Sequence, residues 1–248
     1  MIGALSKLFH KEINFKFKSG TGPSDPKTWP KSWKTVYFKE YPRLNLIPLS
    51  WNFLELGNLE SALKNRHSTR EFSNKPITFE ELSTLLYFGG GIRKIPDNGE
   101  WNGSKRFYPS GGSRYPLEIY IGAQNVTDLD RGIYHYNVKK HALEELIESE
   151  GIKIIKEAMF YPWSKDAALF VILTSVWDRN FIKYKDFGYK IVLNESGHLM
   201  QNIALISSAL NIGCCHLAGY SNEKIELMLD IDNEEESTVH LSVLGKLQ

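Results

Sequence analysis

Five stretches of the chain hold residue types whose spacing could do chemistry. Arg66-His67-Ser68-Thr69-Arg70 sets two arginines four apart with a serine between them. Guanidinium is a planar, permanently charged fork that grips phosphate bidentately, so the set suits a phosphate and its neighbouring oxygens. On one continuous helix Arg66 and Arg70 would share a face while Ser68 pointed away. If all three serve one ligand, the chain must leave the helix here and run extended. The alternative is an exposed basic cluster. Pro109-Ser110-Gly111-Gly112-Ser113-Arg114-Tyr115-Pro116 stands directly before a strand-like run. Its glycines let backbone approach a ligand and its serines offer hydrogen-bonding edges. It lacks the lysine of a P-loop, and a plain connecting loop is the alternative.

Lys183-Tyr184 is the third stretch. A lysine with its pKa lowered by burial, beside a tyrosine hydroxyl, can serve as base or acid for a carbon-bound proton. A solvated pair on a helix surface is the alternative, and the sequence leaves open which residue is the base. Glu195-Ser196-Gly197-His198 has a Glu and a His three apart, as in a di-iron carboxylate site. Such sites need a second Glu-x-x-His and two more glutamates, so no metal is expected. That leaves His198 as a structural group or a substrate contact. The fifth stretch, Gly213-Cys214-Cys215-His216-Leu217-Ala218-Gly219-Tyr220, reads as a small-residue loop between two helices. A backbone N–H there could meet a cofactor edge, and the cysteines read as buried small hydrophobes.

The elements that must position these residues follow from periodicity. Leu56, Leu59, Ala62 and Leu63 share a helical face, so a short helix should run into Lys64-Asn65-Arg66. Thr78 with Glu81 makes a capping-box pattern for a second helix, which Gly89-Gly90-Gly91 ends. Leu117 to Ala123, Gly132 to Val138 and Thr238 to Leu244 read as strands. The unbroken apolar run from Ala167 to Val176 should be a central strand covered on both faces. Further helices are expected near 152–160, over 190–210 as the longest, and over 222–229. Residues 1–50 read differently. Gly20 to Pro26, Trp29-Pro30, Tyr41-Pro42 and Ile47-Pro48 break regular elements, giving an extended arm laid over a main body of residues 51–248. Phe15, Phe17, Trp29, Trp33, Tyr37, Phe38 and Tyr41 would anchor it. Helices and strands without strict alternation make the fold class α+β.

Composition removes several functions. Thirty basic against 29 acidic residues in 248 give no global field for nucleic acid or a membrane surface. Two adjacent cysteines make neither a disulfide framework nor a zinc site. No apolar run is long enough for a membrane helix, and the N-terminus lacks a signal peptide's apolar core, so a cytoplasmic location is expected. The 12% aromatic content is unusual. It suits a bulky core or a large flat ligand, with Phe107, Tyr108, Tyr115 and Tyr120 as the candidate walls.

Taken in order, these motifs resemble one family. From about Leu56 to the C-terminus the chain is similar to the FMN-dependent nitroreductase superfamily, and within it to the SagB-type azoline dehydrogenases of peptide natural-product biosynthesis. R-x-S-x-R at 66–70, PSGGSRYPLEIY at 109–120, Lys183-Tyr184 and NESGHLMQNIALISSALNIG at 194–213 carry the resemblance. It implies a nitroreductase-like fold, a mostly antiparallel sheet flanked by helices, in an intertwined homodimer with FMN at the interface. It also implies that Arg66, Ser68 and Arg70 hold the phosphate and ribityl end. Pro109, Ser110, Gly111, Gly112 and Ser113 would touch the flavin, often from the neighbouring subunit. Ala218 and Gly219 would lie near N5 and O4, Lys246 would be a second phosphate contact, and Lys183 and Tyr184 would be catalytic. The implied substrate is an azoline-bearing peptide made by a cyclodehydratase. Lys185 to Lys190 depart from the subgroup, which more often carries arginines there.

Overall fold

Leu169–Val176 forms β7 at the middle of the sheet, and from Leu169 to Ser175 every residue is buried. This computed structural model describes residues 4–13, 26–96 and 103–248. Six further strands complete the main sheet: β1 (Leu46–Pro48), β4 (Leu117–Ala123), β5 (Gly132–Asn137), β6 (Ala142–Ile147), β8 (Ile212–Leu217) and β9 (Glu236–Lys246). Their order is β1-β6-β5-β4-β7-β9-β8, with antiparallel pairing throughout. A separate ribbon pairs β2 (Ile92–Lys94) with β3 (Lys105–Arg106).

Period-two alternation divides the core into two layers. Leu117, Ile119 and Ile121 of β4 face α4 (Phe79–Gly90) and α7 (Phe187–Ala209), joining Leu82, Leu85, Leu199 and Ile203. Tyr120, Phe170 and Ile172 point the other way, onto α5 (Glu150–Ala158) and α8 (Asn222–Leu229). The capping box of α4 is formed. Thr78 Oγ1 accepts from the Glu81 N–H at 3.2 Å, and Glu81 Oε2 accepts from the Thr78 N–H at 2.8 Å.

Two expectations are corrected. The segment 213–220 is not a loop between helices, because Ile212–Leu217 is the edge strand β8 paired with β9. Cys214 and Cys215 are both buried and alternate across the sheet, each in a different core layer. Small residues hid the strand, since they carry little of the bulk by which strands are recognised. The first fifty residues are not extended throughout. They include helices α1 (Ala4–Glu12) and α2 (Lys31–Lys34), and β1. The anchoring residues differ too. Tyr41 packs edge-on against His135 and Phe38 joins the core, but Tyr37 is 73% exposed. Phe15, Phe17 and the run from Gly20 to Asp25 lie outside the described residues.

A chain of buried charge crosses β4, β5 and β6. His135 sits between two carboxylates, Glu144 at 2.8 Å and Glu118 at 3.0 Å, and Arg179 pairs with Glu118 at 2.5 Å. Burial alone would depress the imidazole, but the two hydrogen-bonded carboxylates raise its pKa above the ordinary 6.5. Burial likewise works against the Glu118 carboxylate, yet Arg179 and His135 hold it well below its ordinary 4.5. Arg179→Met would strand that carboxylate and is expected to cost about 3–5 kcal/mol, read as a lower urea midpoint. The signs of the two shifts fix the pH dependence. Glu118's contribution is present above pH 4.5 and is lost as pH falls through its depressed value. His135's contribution is present below pH 6.5 and is lost as pH rises through its raised value. Urea midpoints should therefore peak between those limits, and His135→Gln should flatten the alkaline side.

Candidate functional site

The arginine motif does leave the helix. Helix α3 (Leu59–Asn65) starts on Asn58, whose side chain caps Ser61, and its C-cap Arg66 has φ −64° and ψ 119°, an extended conformation. The chain then runs beside β8 in parallel. Ser68 bridges Cys214, and the Thr69 N–H donates to the Cys214 carbonyl at 3.0 Å. Alternation turns Thr69 inward and leaves Arg66, Ser68 and Arg70 exposed together. His216 of β8 is exposed beside this row, with Nδ1 2.6 Å from Ser242 Oγ. Burial and the nearby Arg66 depress its pKa. Sequence reading gave His216 no role, because alternation cannot be seen in an unrecognised strand. Where β8 ends, Ala218 is exposed and Gly219 packs so tightly that a Cβ there would meet the Tyr161 ring at 2.4 Å. A cavity of about 430 Å³, walled by Lys64, Arg66, Thr69, Ser208 and Leu247, opens beside Arg66.

The Lys246 backbone runs close to this row, its carbonyl accepting from the Ser73 N–H at 2.8 Å. Its ammonium pairs with Glu81, the residue that caps α4. The charge expected to reach a phosphate is thus engaged by a carboxylate within the chain.

A second cluster forms around the glycine-serine loop. Gly111–Ser113 makes one 3-10 turn, and Gly112 has φ +64°. A Cβ on Gly112 would lie 2.5 Å from Tyr184 Oη and 3.0 Å from Lys183 Nζ, so the missing side chain is what admits the pair. Lys183 and Tyr184 end helix α6 (Asp178–Tyr184). Ser113 and Tyr115 also have positive φ, at 55° and 47°. Arg114 holds that strained backbone, donating to the carbonyls of Arg179 at 2.5 Å and Trp33 at 2.7 Å. Ser110 is half-buried and ties the turn to α7. Its hydroxyl donates to Glu195 Oε2 at 2.7 Å and accepts from the Tyr115 N–H at 2.8 Å. Lys105 donates to Ser113 Oγ at 2.8 Å, and Pro109 is exposed.

Titration separates the members of this cluster. Burial lowers the Lys183 pKa and Arg114 adds to the effect, whereas burial raises the Tyr184 hydroxyl against the pull of Arg114. Glu195 is 1% exposed at the residue level in the same α7 turn as Ser196. Burial pushes its carboxyl up to about 8, with Ser110 and Arg106 opposing. Its Oε1 makes no hydrogen bond among the described residues. A carboxyl with a raised folded pKa destabilises the fold increasingly as pH climbs from its ordinary 4.5 toward 8. Glu195→Gln is therefore expected to stabilise the protein by on the order of 1–3 kcal/mol at pH 8, and by less at pH 5, in urea melts.

The two clusters are far apart within one chain. Gly111 packs on Ile191 near the start of α7, while Ala204 and Ser208 line the cavity beside Arg66. At about 1.5 Å per residue, that separates them by roughly 20–25 Å. His198 is exposed on α7 between them. The expected aromatic walls are corrected as well. Tyr108, Tyr115 and Tyr120 are at most 5% exposed and belong to the core, and Phe107 packs on Tyr87 and Phe88. Their bulk fills the interior instead of facing a ligand.

The nitroreductase family matches residues 63–246, nearly all of the chain beyond its first elements. The chain belongs to that family. A relative from Methanocaldococcus jannaschii that carries the family's name is 29% identical over 179 residues, spanning 72% of this chain and 87% of its own. The trifolitoxin-processing protein TfxB of Rhizobium leguminosarum bv. trifolii is 27% identical over 148 residues, and the microcin B17-processing protein McbC of Escherichia coli 22% over 147. The chain spans 40% and 54% of those two proteins. Among solved folds, an Anabaena variabilis nitroreductase aligns over 99% of this chain and 48% of its own, with a TM-score of 0.79 at 24% identity. The E. coli microcin synthetase McbBCD complex with truncated pro-MccB17 includes a chain that aligns over 99% of this one and 92% of its own. Its TM-score is 0.61 at 20% identity. A Desulfovibrio desulfuricans member solved in complex with FMN aligns over 76% of this chain and 86% of its own, at a TM-score of 0.52 and 15% identity.

In this nitroreductase-family chain the Arg66–Arg70 stretch has the donor types for a phosphate monoester, two exposed guanidiniums and an exposed hydroxyl, with Arg66 at the wall of an open cavity. Ala218-Gly219 supplies bare backbone farther along the same edge. The Lys183–Tyr184 cluster has the groups for proton transfer and packs toward the opposite end of α7.

Proposed function

We propose that the chain is an FMN-dependent dehydrogenase that oxidises azoline rings in a peptide to thiazoles or oxazoles, acting as a homodimer with its sites at the interface. The observation that carries this reading is the contact of Lys183 and Tyr184 with the Gly111–Ser113 turn, remote from the phosphate-type row. A second copy supplies what one chain separates. One subunit would contribute Arg66, Ser68, Arg70 and the Ala218-Gly219 backbone. The other would contribute Pro109 to Ser113 with Lys183 and Tyr184. The relatives that process trifolitoxin and microcin B17, and the synthetase complex solved with a peptide, support a peptide substrate and a cyclodehydratase partner.

Aromatising an azoline removes two electrons and two protons from the ring. FMN, when bound, takes up the hydride. Of the pair, Lys183 has the lowered pKa and is the base for the ring carbon's proton, while Tyr184 stays protonated and donates a hydrogen bond. Gly112 keeps the backbone low enough for both head groups to face the same space. His198, exposed on α7 between the two clusters, is the substrate contact in this reading. Lys246 could reach a phosphate only by giving up Glu81.

The test is aerobic incubation of the FMN-loaded protein with an azoline-bearing peptide, followed by mass spectrometry for loss of two hydrogens. A protein that never takes up FMN would sink the reading and leave a scaffold role. The M. jannaschii relative, matched over more of both chains, favours a second reading as an NAD(P)H-dependent nitro- or quinone reductase. Bleaching of the flavin by NADPH but not by the azoline peptide would select it.

A further inference from the structure

We propose that Trp29, from the N-terminal segment, is a positioning residue for the Lys183–Tyr184 pair: its indole holds the Lys183 ammonium over the Gly111–Ser113 turn. Lys183 Nζ lies 3.4 Å from the centre of the Trp29 ring, 5.7 Å from that of Trp33 and 5.4 Å from that of Tyr184. Three rings thus surround one cation, within the range of cation–π attraction and with tryptophan the strongest partner. Hydrogen bonds tie the segment that supplies the two indoles to the same cluster. Trp33 Nε1 donates to the Ile182 carbonyl of α6 at 3.1 Å, and the Trp33 carbonyl accepts from Arg114 at 2.7 Å. Trp29 in turn packs edge-on against Trp33, with ring centres 6.2 Å apart. Without an indole in that place, a flexible four-carbon stem has no reason to keep its ammonium at Gly112.

Two opposing influences then act on Lys183. Burial and Arg114 favour the neutral amine, while the indole face favours the ammonium. The remaining titratable groups around it are Tyr184 on its own helix, Lys105 on Ser113, and Glu195 behind Ser110. Among the described residues none is a carboxylate in contact with the ammonium, and the rings are its stabilising partners there. The inference rests on the reading of Lys183 as the base for its catalytic meaning, but the contact itself can be measured without turnover.

The experiment follows the pH dependence of Lys183 acylation in the full-length protein, quantified by mass spectrometry, in wild type, Trp29→Leu, Trp29→Phe and Trp33→Leu. Leucine keeps the site apolar and removes only the π face. Trp29→Leu should lower the acylation midpoint by about half a unit to one and a half units. Trp29→Phe should lower it by less, and Trp33→Leu, with its ring farther away, should also shift it by less than Trp29→Leu. An unchanged or raised midpoint in Trp29→Leu overturns the proposal, as does an equal or larger shift in Trp33→Leu. If Trp29→Leu does not fold, Trp29→Phe decides alone, a lowered midpoint supporting and an unmoved one overturning. Shifted acylation in a protein that leaves azolines untouched would keep this contact and discard the azoline reading.

Discussion

Replacing Lys183 with methionine is expected to lower azoline oxidation by about 10²–10⁴-fold while the protein remains yellow, since a well-placed base commonly contributes that much to rate. Methionine keeps the length and apolar bulk of the stem, so it removes the base without emptying the space above Gly112. The result should appear as a loss of turnover with little change in flavin affinity, because the proposed phosphate grip belongs to Arg66, Ser68 and Arg70 and not to Lys183. The pH profile is the sharper readout. Burial and Arg114 lower the Lys183 pKa, and only the neutral amine can accept a proton. Wild-type turnover should therefore rise with pH through the lowered value, and Lys183→Met should lose that limb. Tyr184→Phe should cost only about tenfold, as expected for one hydrogen bond. A Tyr184→Phe variant that loses the rising limb while Lys183→Met keeps it would reverse the two roles.

How much of this was legible beforehand depends on what each residue needed from its surroundings. The helix from Thr78 could be read because its capping box and its glycine terminus are local signals. The strands of Leu117–Ala123 and Leu169–Val176 were legible for a similar reason, since continuous burial leaves an unbroken apolar run. A single ligand shared by Arg66, Ser68 and Arg70 would need an extended chain, and the chain is extended there. The failures share a cause in long-range partners. β8 became a strand through β9, which its own small residues do not announce. The hydrogen bond from the Ser110 hydroxyl to Glu195, 85 residues later in the chain, was equally invisible. So was the ion pair of Lys246 with Glu81. The tyrosines beside the loop went to the core because burial of a large ring needs only an apolar space, whereas flanking a ligand needs a particular one. The distance between the arginine row and the Lys183 pair is set by the length of α7, and no motif records it.

That distance makes the second large prediction. Arg66→Met combined with Arg70→Met should weaken FMN binding by about 10²–10⁴-fold, since hydrogen bonds to charged groups are each worth about 1.5–3 kcal/mol. Quenching of flavin fluorescence on titration measures it. The wild-type affinity should fall with added salt and that of the double variant much less, because the lost contribution is charge on charge at an exposed edge. The same two variants then decide how the site is assembled. Co-expression under separate tags yields a mixed dimer with one Arg66→Met/Arg70→Met subunit and one Lys183→Met subunit. If each site joins the arginine row of one subunit to the lysine of the other, one site of the mixed dimer is intact and about half of wild-type turnover returns. If both clusters of a site come from the same chain, each site carries a defect and turnover stays near that of the parents. With roughly 20–25 Å of α7 between the residues packed on each cluster, the first outcome is the one expected of an interface site.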